Sequence, residues 1–194
     1  MKKERKFLIV LTAIILGAIA LDQLTKWLAV VYLQGEPSFP LWKGVLHFTF
    51  VKNEGAAFGI FSDQRWIFML FSSVAIIILL VYLFRFYQKN MLVSISLAMI
   101  IGGGIGNMVD RIALGYVIDF IDFTLINFAV FNVADSFVTV GAFVLMGYLI
   151  WDLVREWKQG KEKKNDSEET SVQESASSSD LPEKTENENG TGME

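Results

Sequence analysis

Four aspartates, Asp110, Asp119, Asp122 and Asp135, are the residues of this sequence best suited to acid–base chemistry. Two carboxylates sharing one proton can activate a water. The ionised member accepts the water's proton while the neutral member donates to a carbonyl oxygen. Like charges about 3 Å apart resist double ionisation, and a low-dielectric membrane boundary strengthens that resistance. Composition removes several other chemistries. Cysteine is absent, which removes thiolate nucleophiles, disulfides, Cys-ligated zinc and iron–sulfur clusters. His47 is the one histidine, so no multi-histidine metal site can form within one chain, and a Ser-His-Asp arrangement could be built only around it.

Most of these polar groups have a bland alternative. Asp22 and Lys26, four residues apart, suit a structural ion pair on one helix face. Asp110 beside Arg111 either pairs and caps a helix end or belongs to a site. Asp119 and Asp135 have no cation near them in sequence, which favours chemistry. Asp122 is expected to face solvent, and His47 to be a polar surface residue. Gly102-Gly103-Gly104-Ile105-Gly106 lacks the Lys-Ser/Thr of a phosphate loop and lies in an apolar span, where small residues permit close helix packing.

The elements that must position these groups are membrane helices. Of the 194 residues, 53% are hydrophobic, and the mean hydropathy is +0.42. Crossing the roughly 30 Å hydrocarbon core takes about 20 apolar residues. Trp66–Phe84 and Met91–Val109 are uncharged throughout. Phe7–Leu21 and Ser136–Trp151 are also uncharged, and each extends further with few interruptions. The reading is four transmembrane helices at about 7–30, 66–86, 90–110 and 133–155. The basic start and Ala18-Ile19-Ala20 resemble a cleavable signal peptide. Three further spans make an uncleaved first helix the simpler reading.

Lys/Arg bias sets the orientation. Lys2, Lys3, Arg5 and Lys6, then Arg85 and Lys89, then Arg155, Lys158, Lys161, Lys163 and Lys164 fall on one side of a four-span chain. Both termini are therefore expected in the cytoplasm, with loops 31–65 and 111–132 outside. Val45–Lys52 alternates apolar and polar residues as a short interfacial strand does, and Asn53–Gly59 is expected to turn and begin a half-helix. The fold class is an all-α integral membrane protein with four transmembrane helices and a small extracytoplasmic β-containing loop region at the interface.

Charge is divided unevenly. Residues 1–158 carry net +2 and residues 159–194 carry net −6. The acidic pI therefore describes a tail and implies neither nucleic-acid binding nor an acidic docking face. The domain reading is a membrane domain, 1–158, and a disordered acidic cytoplasmic tail, 159–194, which has no aromatic residue to bury.

On this topology the unusual polar residues gather at one depth. Asp22 lies about 15 residues into the first helix, roughly 22 Å along it, with Lys26 one turn further out. Asn107, Asp110 and Arg111 end the third helix, Asn132 and Asp135 begin the fourth, and Asn53 and Asp119 lie in the outer loops. Intramembrane ionisable groups mark function by default. A transporter would place such groups near the midplane, often in repeated halves. A scaffold gives no reason for paired aspartates beside Asn and Arg.

Five motifs occur in order: Asp22-Gln23-Leu24-Thr25-Lys26, Asn53-Glu54-Gly55-Ala56-Ala57-Phe58, Gly106-Asn107-Met108-Val109-Asp110-Arg111, Val117-Ile118-Asp119-Phe120 and Phe131-Asn132-Val133-Ala134-Asp135-Ser136. Together they resemble bacterial lipoprotein signal peptidase (signal peptidase II), over about residues 7–155. The resemblance implies an aspartic endopeptidase, multi-pass in the bacterial cytoplasmic (inner) membrane, with its active site at the outer face. Its substrate would be a prolipoprotein whose lipobox cysteine carries a diacylglyceryl group, cleaved just before that cysteine. By motif match Asp119 and Asp135 would be catalytic, and the resemblance implies neither a metal nor a cofactor. Asn107, Arg111 and Asn132 would hold the substrate backbone, while Asp22, Lys26, Asn53 and Asp110 would support the pocket. The expected partners are the prolipoprotein and membrane lipid, not nucleic acid, and the enzyme is expected to act as a monomer.

Overall fold

The computed structural model describes residues 2–55, 65–87 and 90–179. Four helices are long and apolar enough to cross a membrane: α1 (Lys2–Leu33), α2 (Arg65–Phe86), α3 (Met91–Ala113) and α4 (Val133–Ser179). They correspond to the spans read from hydropathy, because a bilayer leaves a buried backbone few options besides the helix. The chain divides into two units, Met1–Leu149 and Ile150–Glu194. The packed core, the sheet and the start of α4 lie in the first.

α3 is the central helix. One side joins Leu11 of α1 and Leu83 of α2 to Leu97, Ala98 and Ile101 in a buried cluster. Its glycine run lets its neighbours approach at successive angles. A Cβ at Gly103 would collide with the carbonyl oxygen of Ala134 on α4. At Gly106 it would lie 2.6 Å from Asp22 Oδ2 on α1. α2 contributes a lipid-type surface, with Phe71, Ile77, Ile78, Val81 and Phe84 exposed. Asn90 caps α3 by accepting from the Val93 N–H at 3.1 Å.

The loops after α1 and α3 build a three-stranded antiparallel sheet, ordered β1 (Phe39–Trp42), β2 (Leu46–Asn53), β3 (Val117–Asp122). Hydrophobic alternation found β2 alone. β1 is an exposed edge strand interrupted by Pro40, which edge positions tolerate. In β3 the run Val117 to Phe120 is buried on both faces, so no alternation betrays it. Ala29 of α1, Ile118 and Phe120 form a second buried cluster that fastens the sheet to the C-terminal end of α1. After β3, a 3-10 turn (Thr124–Ile126) leads back to Phe131, which bridges Ile121 and stacks on Phe123 with centroids 5.8 Å apart. The half-helix expected after Asn53 falls mostly on residues 56–64, outside the described residues.

α4 continues to Ser179, where composition predicts disorder from residue 159. The acidic-tail reading for residues 180–194 lies outside the described residues.

Candidate active site

The site forms where α1, α3, β3 and the start of α4 meet. Asn132 and Asp135 open α4 with a reciprocal cap. Asn132 Oδ1 accepts the Asp135 N–H at 2.9 Å, and Asp135 Oδ2 accepts the Asn132 N–H at 3.2 Å. This pattern satisfies two of the helix's unpaired N–H groups. It also holds the Asp135 carboxylate at the positive end of the helix dipole. The pattern is legible as Asn-x-x-Asp, although sequence reasoning did not extract it. A third donor, the Ala134 N–H, is taken by Asp22 Oδ1 from α1 at 2.9 Å.

β3 carries Asp119 inward, 1% exposed. Its Oδ1 accepts from Asn132 Nδ2 at 2.7 Å and its Oδ2 from Asn53 Nδ2 at 2.8 Å. Asn53 is oriented in turn by the Gly55 N–H, which donates to its Oδ1 at 3.1 Å. Asp135, half-buried, accepts from Asn107 Nδ2 at 2.7 Å. The two carboxylates thus converge on one residue, Asn132, with two donors each. Burial pushes the Asp119 carboxyl up to about 6; the Asp135 charge adds to this, while the Asn53 and Asn132 hydrogen bonds and the Lys26 charge oppose it.

Beneath the carboxylates lies a buried ion cluster. Lys26 Nζ is 2.8 Å from Asp22 Oδ2, 3.0 Å from Asp110 Oδ2 and 2.8 Å from Asn107 Oδ1. Asp110 Oδ2 also accepts the Ile118 N–H at 3.1 Å, which ties the end of α3 to β3. Asp110 therefore both pairs and belongs to the site's framework. Gln23 Nε2 donates to Asp110 Oδ1 at 2.8 Å and to the Gly106 carbonyl at 3.1 Å. Sequence reasoning gave Gln23 no role. Its place between Asp22 and Lys26 on α1 was the available signal.

Arg111 stands at the edge, close enough to Asp135, Asp119 and Asp110 to feel their charges. Its Nη1 lies 3.4 Å from the Asn107 carbonyl. No ion pair from Arg111 to an aspartate is found among the described residues. Asp122 is not brought to the site. It lies three residues from Asp119 and so on the other face of β3, where it is half-buried and accepts from Thr49 Oγ1 at 3.0 Å. His47 serves the β1–β2 turn, where the Gly44 N–H donates to its Nε2 at 3.2 Å and Ser38 Oγ lies 3.2 Å from its Nδ1.

Comparison with known proteins matches residues 14–151 to a family described as signal peptidase (SPase) II. A lipoprotein signal peptidase of Caldanaerobacter subterraneus is 47% identical over 137 residues, covering 71% of this chain and 92% of that one. One from Brevibacillus brevis is 42% identical over 143 residues, covering 74% and 93%. A solved structure of a bacterial membrane enzyme superposes with TM-score 0.66 at 30% identity, covering 74% of this chain and 89% of that one.

Proposed function

The chain belongs to the signal peptidase II family, and from that premise we propose that it removes signal peptides from prolipoproteins with Asp119 and Asp135 as a catalytic pair. The observation that carries this reading is the convergence of both carboxylates on Asn132, one through its side-chain amide and one through its backbone N–H.

In the proposed reaction Asp119 holds the shared proton and Asp135 is ionised. Asp119 is the more buried of the two and its carboxyl is pushed up to about 6, chiefly by that burial. Asp135 takes a proton from a water, whose oxygen attacks the scissile carbonyl carbon. Asp119 gives its proton to the carbonyl oxygen as the tetrahedral intermediate forms. On collapse the C–N bond breaks, the leaving amine takes the proton held by Asp135, and Asp119 recovers its own. The products are a signal peptide ending in a carboxyl group and a lipoprotein beginning with a free amine. Arg111, with guanidinium donors left over, and the amides of Asn107 and Asn132 are the groups proposed to hold the substrate backbone.

The proposed substrate is a prolipoprotein with a diacylglyceryl-modified cysteine, cut just before that residue. The setting fits such a substrate. A signal-peptide helix and two acyl chains can approach laterally through lipid, and the scissile bond then arrives at the interface. The proposed location is the bacterial cytoplasmic membrane, as the family's bacterial relatives suggest, and the Lys/Arg bias supports both termini inside and the site at the outer face. Residues 1–158 would suffice for catalysis, with residues 159–194 dispensable.

Mass spectrometry of the products from a diacylglyceryl prolipoprotein and its unlipidated counterpart tests this. The expected result is cleavage of the lipidated form only, at the bond before the cysteine. Cleavage elsewhere, or equal cleavage of both forms, would overturn the substrate assignment.

A further inference from the structure

Each carboxylate of the pair receives a hydrogen bond from an asparagine amide, Asp135 from Asn107 and Asp119 from Asn132. An amide has an acceptor end and a donor end of nearly the same shape, so its direction is decided by its neighbours. Turned the other way, Asn107 would present a carbonyl oxygen to a carboxylate. Something must forbid that.

The residue that forbids it is Lys26. An ammonium has three donors and accepts nothing. Lys26 is 1% exposed, so no bulk water serves it. Its three polar neighbours are Asp22 Oδ2, Asp110 Oδ2 and Asn107 Oδ1. Asn107 must therefore turn its oxygen toward Lys26, which leaves Nδ2 for Asp135 Oδ1. The same Asn107 oxygen accepts Asn132 Nδ2 at 3.0 Å. That fixes the second amide, with its nitrogen toward Asp119 Oδ1 and its oxygen toward the Asp135 N–H. The two counter-carboxylates are themselves pinned, Asp110 by Gln23 and the Ile118 N–H, Asp22 by the Ala134 N–H.

We propose that Lys26 is a positioning residue whose ammonium sets the direction of a branched amide relay, Lys26 to Asn107 and Asn107 to Asn132, that aims one side-chain N–H at each carboxylate. The proposal deepens the two-aspartate reading and rests on it. To fasten α1 to α3, Lys26 would need only Asp110, since Asp22 lies on α1 with it. Placing the third donor on Asn107 couples the ion cluster to the chemistry.

The test uses the full-length enzyme in detergent and reads the pH profile of kcat/KM for prolipoprotein cleavage. The variants are Lys26→Gln, the charge-compensated pair Lys26→Gln with Asp110→Asn, and Lys26→Arg. A glutamine can accept or donate, so it no longer dictates the amide direction. It also removes a cation that favours ionised carboxylates. Both limbs of the profile are expected to move to higher pH by about half to one unit, further in Lys26→Gln than in the compensated pair. kcat is expected to fall about 10- to 100-fold with KM little changed. Arginine only donates, and Lys26→Arg is expected to keep the wild-type limbs. A loss of stability alone removes folded enzyme at the pH extremes and narrows the profile, so it does not carry both limbs to higher pH. Wild-type cleavage with unmoved limbs in both glutamine variants would overturn the relay and leave the peptidase reading intact. Failure of the wild type to cleave would overturn the peptidase reading and the relay with it.

Discussion

Asn132 and Asp135 hold each other twice. The Asp135 N–H donates to Asn132 Oδ1 at 2.9 Å, and the Asn132 N–H donates to Asp135 Oδ2 at 3.2 Å. One cap thus begins a membrane helix and orients a carboxylate that we assign to catalysis. Stability and activity are joined at this residue pair, and substitution can separate them.

Replacing Asn132 with Ala removes the cap and the donor to Asp119 together. The loss of the cap is expected to cost about 1 kcal/mol, read as a lower melting temperature in detergent, along with a large loss of kcat. Serine caps helices well and keeps the backbone N–H to Asp135, but its hydroxyl, used in the cap, cannot also replace the amide N–H to Asp119. Asn132→Ser should recover most of the melting temperature and little of the kcat.

Asp119 should also leave a mark on the pH dependence of folding. Its carboxyl rises from 3.8 to about 6 in the folded protein, first because of burial. A raised folded value means that the proton is bound more tightly in the folded state. The associated stability is therefore complete below about pH 4 and is lost as pH climbs through about 6. A shift of this size is worth roughly 3 kcal/mol. The melting temperature should fall across that window in the wild type. In Asp119→Asn, which has no such group, the fall should be shallower, whatever the absolute stability of the variant.

Gly103 and Gly106 admit no side chain. A methyl group would meet the Ala134 carbonyl at the first and Asp22 Oδ2 at the second. Gly103→Ala and Gly106→Ala should each destabilise by about 1–3 kcal/mol or more. Gly17 and Gly147 have open space around the same position. Their alanine variants should melt within a degree or two of the wild type.

The family match ends at residue 151, and the site groups all lie before it. Truncation after Lys164 should therefore leave kcat and KM for prolipoprotein cleavage unchanged within about twofold. A larger loss would assign the acidic segment a part in the reaction.

The legible parts of the sequence were those that membrane physics constrains most. Four spans follow from a bilayer's thickness, and the gathering of Asp22, Lys26, Asn107, Asp110, Asn132 and Asp135 at one depth follows from counting residues along them. β3 was not legible, because burial on both faces erases the alternation that marks a strand. β1 was hidden by Pro40. The wiring of the site was harder still. The backbone N–H groups of Ile118 and Ala134 bind Asp110 and Asp22, and no residue type announces a backbone donor. Gln23 showed only as a neighbour of Asp22, with nothing in its spacing to reveal Asp110 as its partner across the helix interface.

The most direct test of the paired-carboxylate chemistry is single-turnover cleavage of a purified diacylglyceryl prolipoprotein by wild type, Asp119→Asn and Asp135→Asn. Substrate binding would be measured in parallel. Each variant should bind substrate near wild-type affinity and lose at least about a hundredfold in the cleavage rate. Near-wild-type cleavage by either folded variant would contradict the two-aspartate mechanism.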